Sequence, residues 1–164
     1  MTKPIPETTH RLPKALAAVR RIGIRRKAMK ILVLEDSQER IEKFKTLFPE
    51  HDHDVWFTYE AQECIDLLDT QQWDILFLDH DLGGKVFCPS DENSGYAVAC
   101  WLSHFTDRMP TLIVVHSMNP IGASSMGQVL PEGMRIPFFL LHEKQAEMIL
   151  EYAEQKGLDK LKRT

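Results

Sequence analysis

Acidic side chains and histidines stand directly after three short apolar runs of this 164-residue sequence. The six residues are Glu35, Asp36, Asp79, His80, Asp81 and His116. Carboxylates that share one pocket repel one another unless a cation neutralises them, and oxygen ligands favour Mg²⁺, Mn²⁺ or Ca²⁺. Imidazole groups transfer protons near neutral pH. These residue types therefore predict a divalent-metal site with acid–base chemistry, provided that the fold brings the three groups together.

The carboxylates divide into preferred and supplementary metal ligands. Asp36, Asp79 and Asp81 are the preferred ligands, and Glu35 is a supplementary one. If the chain stays extended, Asp79 and Asp81 point the same way and His80 points the other way. If a turn begins at His80, that parity fails. The two aspartates are therefore either paired ligands, or one binds the metal and the other supports it without binding. For Asp36 or Asp81 taken alone, capping of the next helix is a sufficient explanation.

Polar residues after the fourth apolar run are candidates for proton transfer and phosphate binding. His116 is a candidate general acid or base, or alternatively an imidazole ligand of the metal. Ser117 and Asn119, with the backbone N–H groups of their turn, are candidates for holding phosphate oxygens. Ser94 precedes a predicted helix whose N-terminus could bind an anion. The plainer alternatives are a turn at Asn119-Pro120 and ordinary helix capping by Ser94.

Five apolar runs alternate with helical periodicity along the chain. Strands are predicted over residues 31–34, 55–59, 75–78, 112–115 and 136–141, and a last helix over 143–156 with Gly157 as its C-terminal cap. Such alternation predicts a doubly wound α/β fold, a five-stranded parallel sheet in the flavodoxin-like order 2-1-3-4-5 with helices on both faces. Strands one, three and four are then neighbours, and ligands bind beyond the carboxyl ends of such strands. All six residues should meet there.

Charge divides the chain into three parts. Residues 1–28 carry eight Lys or Arg against one Glu, although the whole chain has a net charge of −4. We interpret 1–28 as a basic N-terminal extension that is flexible or forms a short helix, 29–157 as the α/β domain and 158–164 as a polar tail. The extension is a candidate contact for nucleic acid or an acidic partner, or a cover for its own acidic domain.

Composition excludes several classes of protein. Three cysteines without a short spacing argue against a disulfide framework or a zinc knuckle, and they suit a reducing cytoplasm. No apolar stretch is long enough for a membrane span or for the core of a signal peptide. We therefore expect a cytoplasmic protein that is a monomer or a weak dimer and has no contact with a membrane.

Two motifs resemble those of a known family. Glu35-Asp36 and Asp79 match the acidic pair and the phospho-acceptor of receiver domains in two-component signalling, with their CheY-like fold. No lysine stands at the end of the predicted fifth strand, where receivers carry one that pairs with the phosphoryl group. Instead, residues 79–82 (D-H-D-L) and 116–119 (H-S-M-N) resemble segments of the cyclic-phosphate processing receiver family.

That resemblance implies a metal-dependent pocket that acts on cyclic phosphates of nucleotides or RNA ends. The cofactor would be Mg²⁺ or Mn²⁺, and the ligand a cyclic nucleotide or an RNA with a cyclic phosphate end. The catalytic candidates are then His116, His80 and Asp79, with His80 as a second acid or base, and the phosphate-binding candidates are Ser117, Asn119 and Ser94. The alternative hypothesis is a non-catalytic signalling or nucleotide-binding module.

Overall fold

A computed structural model describes residues 27–84 and 91–163, in which strands and helices alternate. The strands are β1 (Lys30–Leu34), β2 (Asp54–Thr58), β3 (Ile75–Leu78), β4 (Leu112–Val115) and β5 (Met134–Arg135). The helices are α1 (Gln38–Leu47), α2 (Ala61–Thr70), α3 (Gly95–His104), α4 (Pro120–Val129) and α5 (Glu143–Arg163). Two short 3₁₀ turns cover Thr106–Arg108 and Phe138–Leu140.

The five strands form one parallel sheet in the order β2-β1-β3-β4-β5. Every residue of β3 and β4 is buried, as expected for central strands that are covered by helices on both faces. The predicted fold class, strand order and three-layer arrangement are therefore confirmed.

Alternate strand residues supply two separate cores, one on each face of the sheet. Ile31 and Val33 of β1 pack with α1 and α5, while Leu32 and Leu34 pack with α2, α3 and α4. This alternation follows from the period of two in a β-strand. It also decides which way a side chain points just beyond the end of a strand, which matters for the candidate site.

The fifth strand is shorter than the sequence suggests, and the prediction of a strand over 136–141 is wrong. The ladder stops after Met134–Arg135. Ile136 and Phe138 N–H still donate to the carbonyls of Val115 and His116, at 3.0 and 2.9 Å. The chain then tightens into the second 3₁₀ turn, in which Leu140 and Leu141 N–H donate to the carbonyls of Pro137 and Phe138 and no longer to β4. The chain nevertheless stays beside β4 long enough to place Phe138 next to the end of that strand.

The last helix is longer than predicted. It runs from Glu143 to Arg163, so the expected cap at Gly157 is wrong, and residues 158–163 of the polar tail continue the helix. Gly157 does not have the positive φ of a C-terminal cap, which Gly83 and Gly84 do have. A glycine costs a helix interior only about 1 kcal/mol, and the good helix formers on both sides of Gly157 offset that cost.

Some sequence-based expectations lie outside the described residues. These include the basic extension up to residue 26, Cys88 and Thr164. Within 27–84 and 91–163, no helix is both long enough and apolar enough to cross a bilayer.

Candidate active site

Three of the six candidate residues occupy one row of the sheet, immediately beyond its carboxyl edge. Leu34, Leu78 and Val115 are aligned as partners at the ends of β1, β3 and β4. The next residues, Glu35, Asp79 and His116, continue the ladder: Asp79 N–H donates to the Leu34 carbonyl at 3.1 Å, and His116 N–H donates to the Leu78 carbonyl at 3.0 Å. We call Glu35, Asp79 and His116 the strand-end row.

Side chains of the strand-end row meet on the face covered by α1 and α5. His116 Nε2 lies 3.0 Å from Glu35 Oε2. One potential ligand atom from each of the three residues lies within 4.8 Å of the others. All three residues are buried. Register and side-chain alternation are therefore sufficient to bring two carboxylates and an imidazole together in a water-poor pocket.

Arg40 covers this pocket, and sequence reasoning missed it. Its Nη1 lies 3.1 Å from Asp79 Oδ2 and 3.4 Å from Glu35 Oε2. The guanidinium also packs over the Phe138 ring, with Cζ 5.2 Å from the centroid. The Arg40 side chain is 28% exposed, whereas that of Asp79 is 3% exposed and that of Glu35 is fully buried. Its position in the first turn of α1, just after the acidic pair, was the available signal.

The surroundings raise the pKa of Asp79 and lower that of Glu35. Burial raises the pKa of Asp79, and the negative charge of Glu35 adds to the effect, despite opposing contributions from His116, Ser117 and Arg40. Burial also acts to raise the pKa of Glu35, but the His116 hydrogen bond and charge, together with Ser37 N–H and Arg40, hold that pKa below its usual value. Glu35 is thus the stabilised anion, while Asp79 is the group more easily protonated.

The His116 ring is enclosed by aromatic side chains. It makes edge contacts with Phe44 and Phe77, at centroid distances of 5.1 and 6.2 Å, and a tilted contact with Phe138 at 6.3 Å. Nδ1 is buried and has no hydrogen-bond partner among the described residues. A proton on Nδ1 would therefore be left unsatisfied, so the geometry favours the tautomer in which Nε2–H donates to Glu35.

His80 and Asp81 belong to a different contact, between the loops after β3 and β4. His80 Nδ1 lies 2.8 Å from Asp81 Oδ1, and Asn119 Nδ2 donates to the same oxygen at 2.9 Å. Asn119 Oδ1 accepts from Gly122 N–H at 3.0 Å and so caps α4. The His80 ring lies against Gly122, where an added Cβ would be 2.2 Å from His80 Cγ. These contacts fix the loops, and they place the His80 ring on the α4 side of the sheet.

The remaining candidates are divided between helix capping and the pocket. Asp36 Oδ2 accepts from Gly84 N–H at 2.7 Å, which ties the end of β1 to the loop after β3. Ser94 is the N-cap of α3, where its side chain accepts from Ala97 N–H. Ser117 is close enough to Asp79 to act against the rise in the pKa of that acid, and its hydroxyl accepts from Asn119 N–H at 3.1 Å. The structure therefore brings Ser117 to the pocket, whereas Ser94 and Asn119 use their side chains as caps.

The carboxylate oxygens of the pocket suit a hard divalent cation as ligands. Mg²⁺ takes one or two carboxylates from a protein and completes its shell with water and phosphate oxygens. Glu35 and Asp79 supply those two carboxylates, whereas Asp36 and Asp81 are outside the group of converging ligand atoms. His116 suits the cation less well, because its Nε2, the nitrogen that faces the carboxylates, carries the proton donated to Glu35 in the favoured tautomer and so has no lone pair for a metal.

A family model described as the cyclic-phosphate processing receiver domain matches residues 30–132, which include every residue of the strand-end row and Arg40. The chain belongs to this family. The cyclic-phosphate processing receiver domain therefore begins at β1 and includes both motifs of the sequence analysis, so the resemblance noted there is confirmed. No curated protein matches the sequence closely enough to add a relative.

Solved receiver domains have the same fold at low sequence identity. A CheY-like receiver domain from Methylobacillus flagellatus aligns with a TM-score of 0.60 and 17% identity, over 77% of this chain and 99% of that one. The signal receiver domain of a putative LuxO repressor protein from Vibrio parahaemolyticus aligns with a TM-score of 0.61 and 16% identity, over 84% and 99% of the two chains. At such identities, the match establishes that this family member has a receiver fold.

Proposed function

We propose that this domain is a metal-dependent phosphoesterase that opens cyclic phosphates of nucleotides or RNA ends. The observation that carries the proposal is the strand-end row with Arg40 above it. The row contains two buried carboxylates, whose pKa values are shifted in opposite directions, and an imidazole. A signalling receiver needs one phospho-acceptor and a lysine. In this pocket, by contrast, the His116 imidazole hydrogen-bonds to Glu35, and the positive charge beside Asp79 comes from Arg40 of α1.

Opening a cyclic phosphate consumes one water molecule. The water oxygen forms a bond to phosphorus, one ring P–O bond breaks, and the released oxygen gains a proton, which gives a monoester. A bound Mg²⁺ or Mn²⁺ would polarise a phosphoryl oxygen. Glu35 and Asp79 would hold the cation, and Ser117 beside Asp79 would donate to a phosphate oxygen. His116 would keep Glu35 ionised through their hydrogen bond, so its catalytic effect would pass through Glu35.

Turnover of defined substrates tests the proposal. The purified chain would be incubated with 2′,3′-cyclic nucleotides and with an oligonucleotide that ends in a 2′,3′-cyclic phosphate, each with Mg²⁺ or Mn²⁺. We expect monoester products, and we expect Asp79→Asn and His116→Ala to lower kcat/KM by at least about 100-fold, which is the usual scale for an acid–base or positioning group. Lys43→Gln, on the same helix as Arg40, should retain the wild-type rate. Absence of turnover with every substrate and both metals would overturn the proposal.

Burial of the whole row favours a second candidate, a non-catalytic receiver-like module. Arg40 already neutralises the carboxylates, and the Asp79 side chain is only 3% exposed. In that case the domain would bind a phosphoryl group or a nucleotide without changing it. Beryllofluoride distinguishes the two functions, because tight Mg²⁺-dependent binding at Asp79 without turnover of cyclic phosphates would support the module. Turnover that is lost in Asp79→Asn would exclude it.

A further inference from the structure

Arg40 contacts the same two carboxylate oxygens that a metal in this pocket would need. Its Nη1 is 3.1 Å from Asp79 Oδ2 and 3.4 Å from Glu35 Oε2, so one nitrogen bridges both acids. We propose that Arg40 is a resident counter-cation, and that the guanidinium and a divalent metal bind Glu35 and Asp79 alternately. The inference rests on the proposed metal site and concerns how that site is regulated.

Distance and charge prevent Arg40 and a divalent metal from binding the two carboxylates at the same time. A divalent cation lies about 2.0–2.2 Å from carboxylate oxygens, which is inside the contact that an arginine nitrogen makes with the same oxygens. Metal and Nη1 would then be held within a few ångströms of each other in a pocket with little water to screen them. Like charges at that separation repel strongly when the surroundings have a low dielectric constant. The metal can therefore bind well only after the guanidinium has left both acids.

Access to the acids also depends on Arg40. The side chains of Glu35 and Asp79 are 0% and 3% exposed, whereas that of Arg40 is 28% exposed and lies between them and the solvent. A cation that enters from the Arg40 side must displace the side chain that covers the row. The same movement would open the acids and remove the competing charge.

The displaced guanidinium can stay stacked on the ring of Phe138. Arg40 Cζ already lies 5.2 Å from the ring centroid, and Lys43 Nζ lies 4.7 Å from it. An arginine stacks on an aromatic face without needing a carboxylate, so this contact can persist when the salt bridges break. In the metal-bound state Arg40 would then stand at the mouth of the pocket with its donors available to a phosphate, while the metal neutralises the acids.

Mn²⁺ affinity is the direct test. Electron paramagnetic resonance would measure the free and bound Mn²⁺ for the wild-type chain and for Arg40→Gln. This substitution removes the charge and leaves a polar side chain that is only slightly shorter. We expect Arg40→Gln to bind Mn²⁺ at least tenfold more tightly. Lys43→Gln is the matched control, because it removes one positive charge from the same helix and the same ring. Its affinity should stay within about twofold of wild type, since Arg40 and not Lys43 forms the ion pairs with Glu35 and Asp79 among the described residues.

Thermal unfolding supplies a second readout that does not depend on turnover. Without metal, Arg40→Gln leaves two neighbouring acids without their cation, so its melting temperature should fall below that of wild type. Saturating Mn²⁺ should then raise the melting temperature of Arg40→Gln more than that of wild type. Arg40→Lys, which keeps the charge, should stay close to wild type in both measurements and provides a folded reference if Arg40→Gln is too unstable to purify.

Different results would overturn the inference and the proposed function. Equal or weaker Mn²⁺ binding by Arg40→Gln, with measurable binding by wild type, would refute the alternation and leave the metal site intact. If neither protein binds Mn²⁺, both the alternation and the proposed metal site are wrong. If Arg40→Gln binds Mn²⁺ where wild type does not, the alternation is supported, and the catalytic proposal then depends on the turnover assay.

Discussion

Arg40 Nη1 lies 3.1 Å from Asp79 Oδ2, so the cation beside the buried aspartate comes from the first helix. In receiver domains the corresponding cation is a lysine at the end of the fifth strand, and no lysine stands directly after β5 here. An arginine that reaches down from α1 sits over the pocket and also covers it. This change of source places the cation between the acids and the solvent.

Opposite effects on stability are expected when the two acids are neutralised separately. The folded-state pKa of Asp79 is raised by burial, so its charged form is disfavoured in the folded protein. Wild type therefore loses stability as the pH rises from about 3.9, the unfolded pKa of an aspartate, through the raised folded pKa. Asp79→Asn does not titrate, so it should be more stable than wild type at pH 7, which a higher melting temperature would show.

Glu35→Gln is the companion variant, with the reverse sign. The pKa of Glu35 is lowered, so its stabilising contribution is present above the unfolded pKa and is lost as the pH falls through the folded pKa. At pH 7 the variant weakens the hydrogen bonds that His116, Ser37 and Arg40 make to the charged carboxylate, and it should cost about 1.5–3 kcal/mol. Urea unfolding of both variants between pH 4.5 and pH 8 measures the difference. If both variants shift stability in the same direction at pH 7, the separation of the two acids is wrong.

Gly122 must be a glycine because the His80 ring lies on its backbone. An added Cβ would be 2.2 Å from His80 Cγ, and a ring held between two loops cannot yield as the end of a flexible chain does. Gly122→Ala should therefore destabilise the fold by about 1–3 kcal/mol, the usual cost of overpacking. In a His80→Ala background the same substitution should cost far less, and a double-mutant cycle measures the coupling.

Gly127→Ala is the control for this cycle, because it lies on the same helix. Its added Cβ would be 3.4 Å from the flexible end of Arg135, so we expect no loss of stability and a gain of up to about 1 kcal/mol from better helix propensity. Additive effects of Gly122→Ala and His80→Ala would show that the ring does not hold the glycine.

Ser94 and Ser37 occupy the same place in two helices but differ in what their hydroxyls do. The Ser94 hydroxyl donates to the Asp91 carbonyl at 2.8 Å and accepts from Ala97 N–H at 3.4 Å, whereas Ser37 makes no side-chain cap bond. Ser94→Ala should cost about 1 kcal/mol and Ser37→Ala less than about 0.5 kcal/mol. Chemical denaturation of the two variants tests this. Equal costs would mean that the Ser94 cap contributes nothing to stability.

The choice between Glu35 and Asp36 shows how far sequence reasoning reached. The sequence indicates the strand ends, their order and the edge at which they meet, because apolar runs and alternating elements determine these. The sequence analysis ranked Asp36 above Glu35. Side chains two positions apart in a strand point to the same face, so Glu35 points to the face of Val33, which α1 and α5 cover. Applied to all three strands, that parity would have selected Glu35, Asp79 and His116 together.

Other features were beyond the reach of local patterns. Arg40 stands in the first turn of an ordinary amphipathic helix, and its contact with Asp79 depends on how α1 crosses the sheet. The role of His80 depends on the close approach of Gly122, which involves residues 42 positions apart in sequence. The early end of β5 follows from the 3₁₀ turn Phe138–Leu140, in which Leu140 and Leu141 N–H donate within the turn and not to β4. Each of these depends on tertiary packing, which periodicity does not encode.

Hydrolysis of a 2′,3′-cyclic nucleotide by Glu35→Gln and Asp36→Asn, followed by ³¹P NMR with Mn²⁺ removed before detection, tests the central claim most directly. The two variants remove one charge each from adjacent positions, and the amide oxygen introduced by Asp36→Asn can still accept the Gly84 hydrogen bond. We expect wild type and Asp36→Asn to convert the cyclic phosphate to a monoester at rates within a few-fold of each other, and Glu35→Gln to be inactive. Loss of activity in Asp36→Asn with retention in Glu35→Gln, or no conversion by wild type, would contradict the assignment of the strand-end row as the catalytic site.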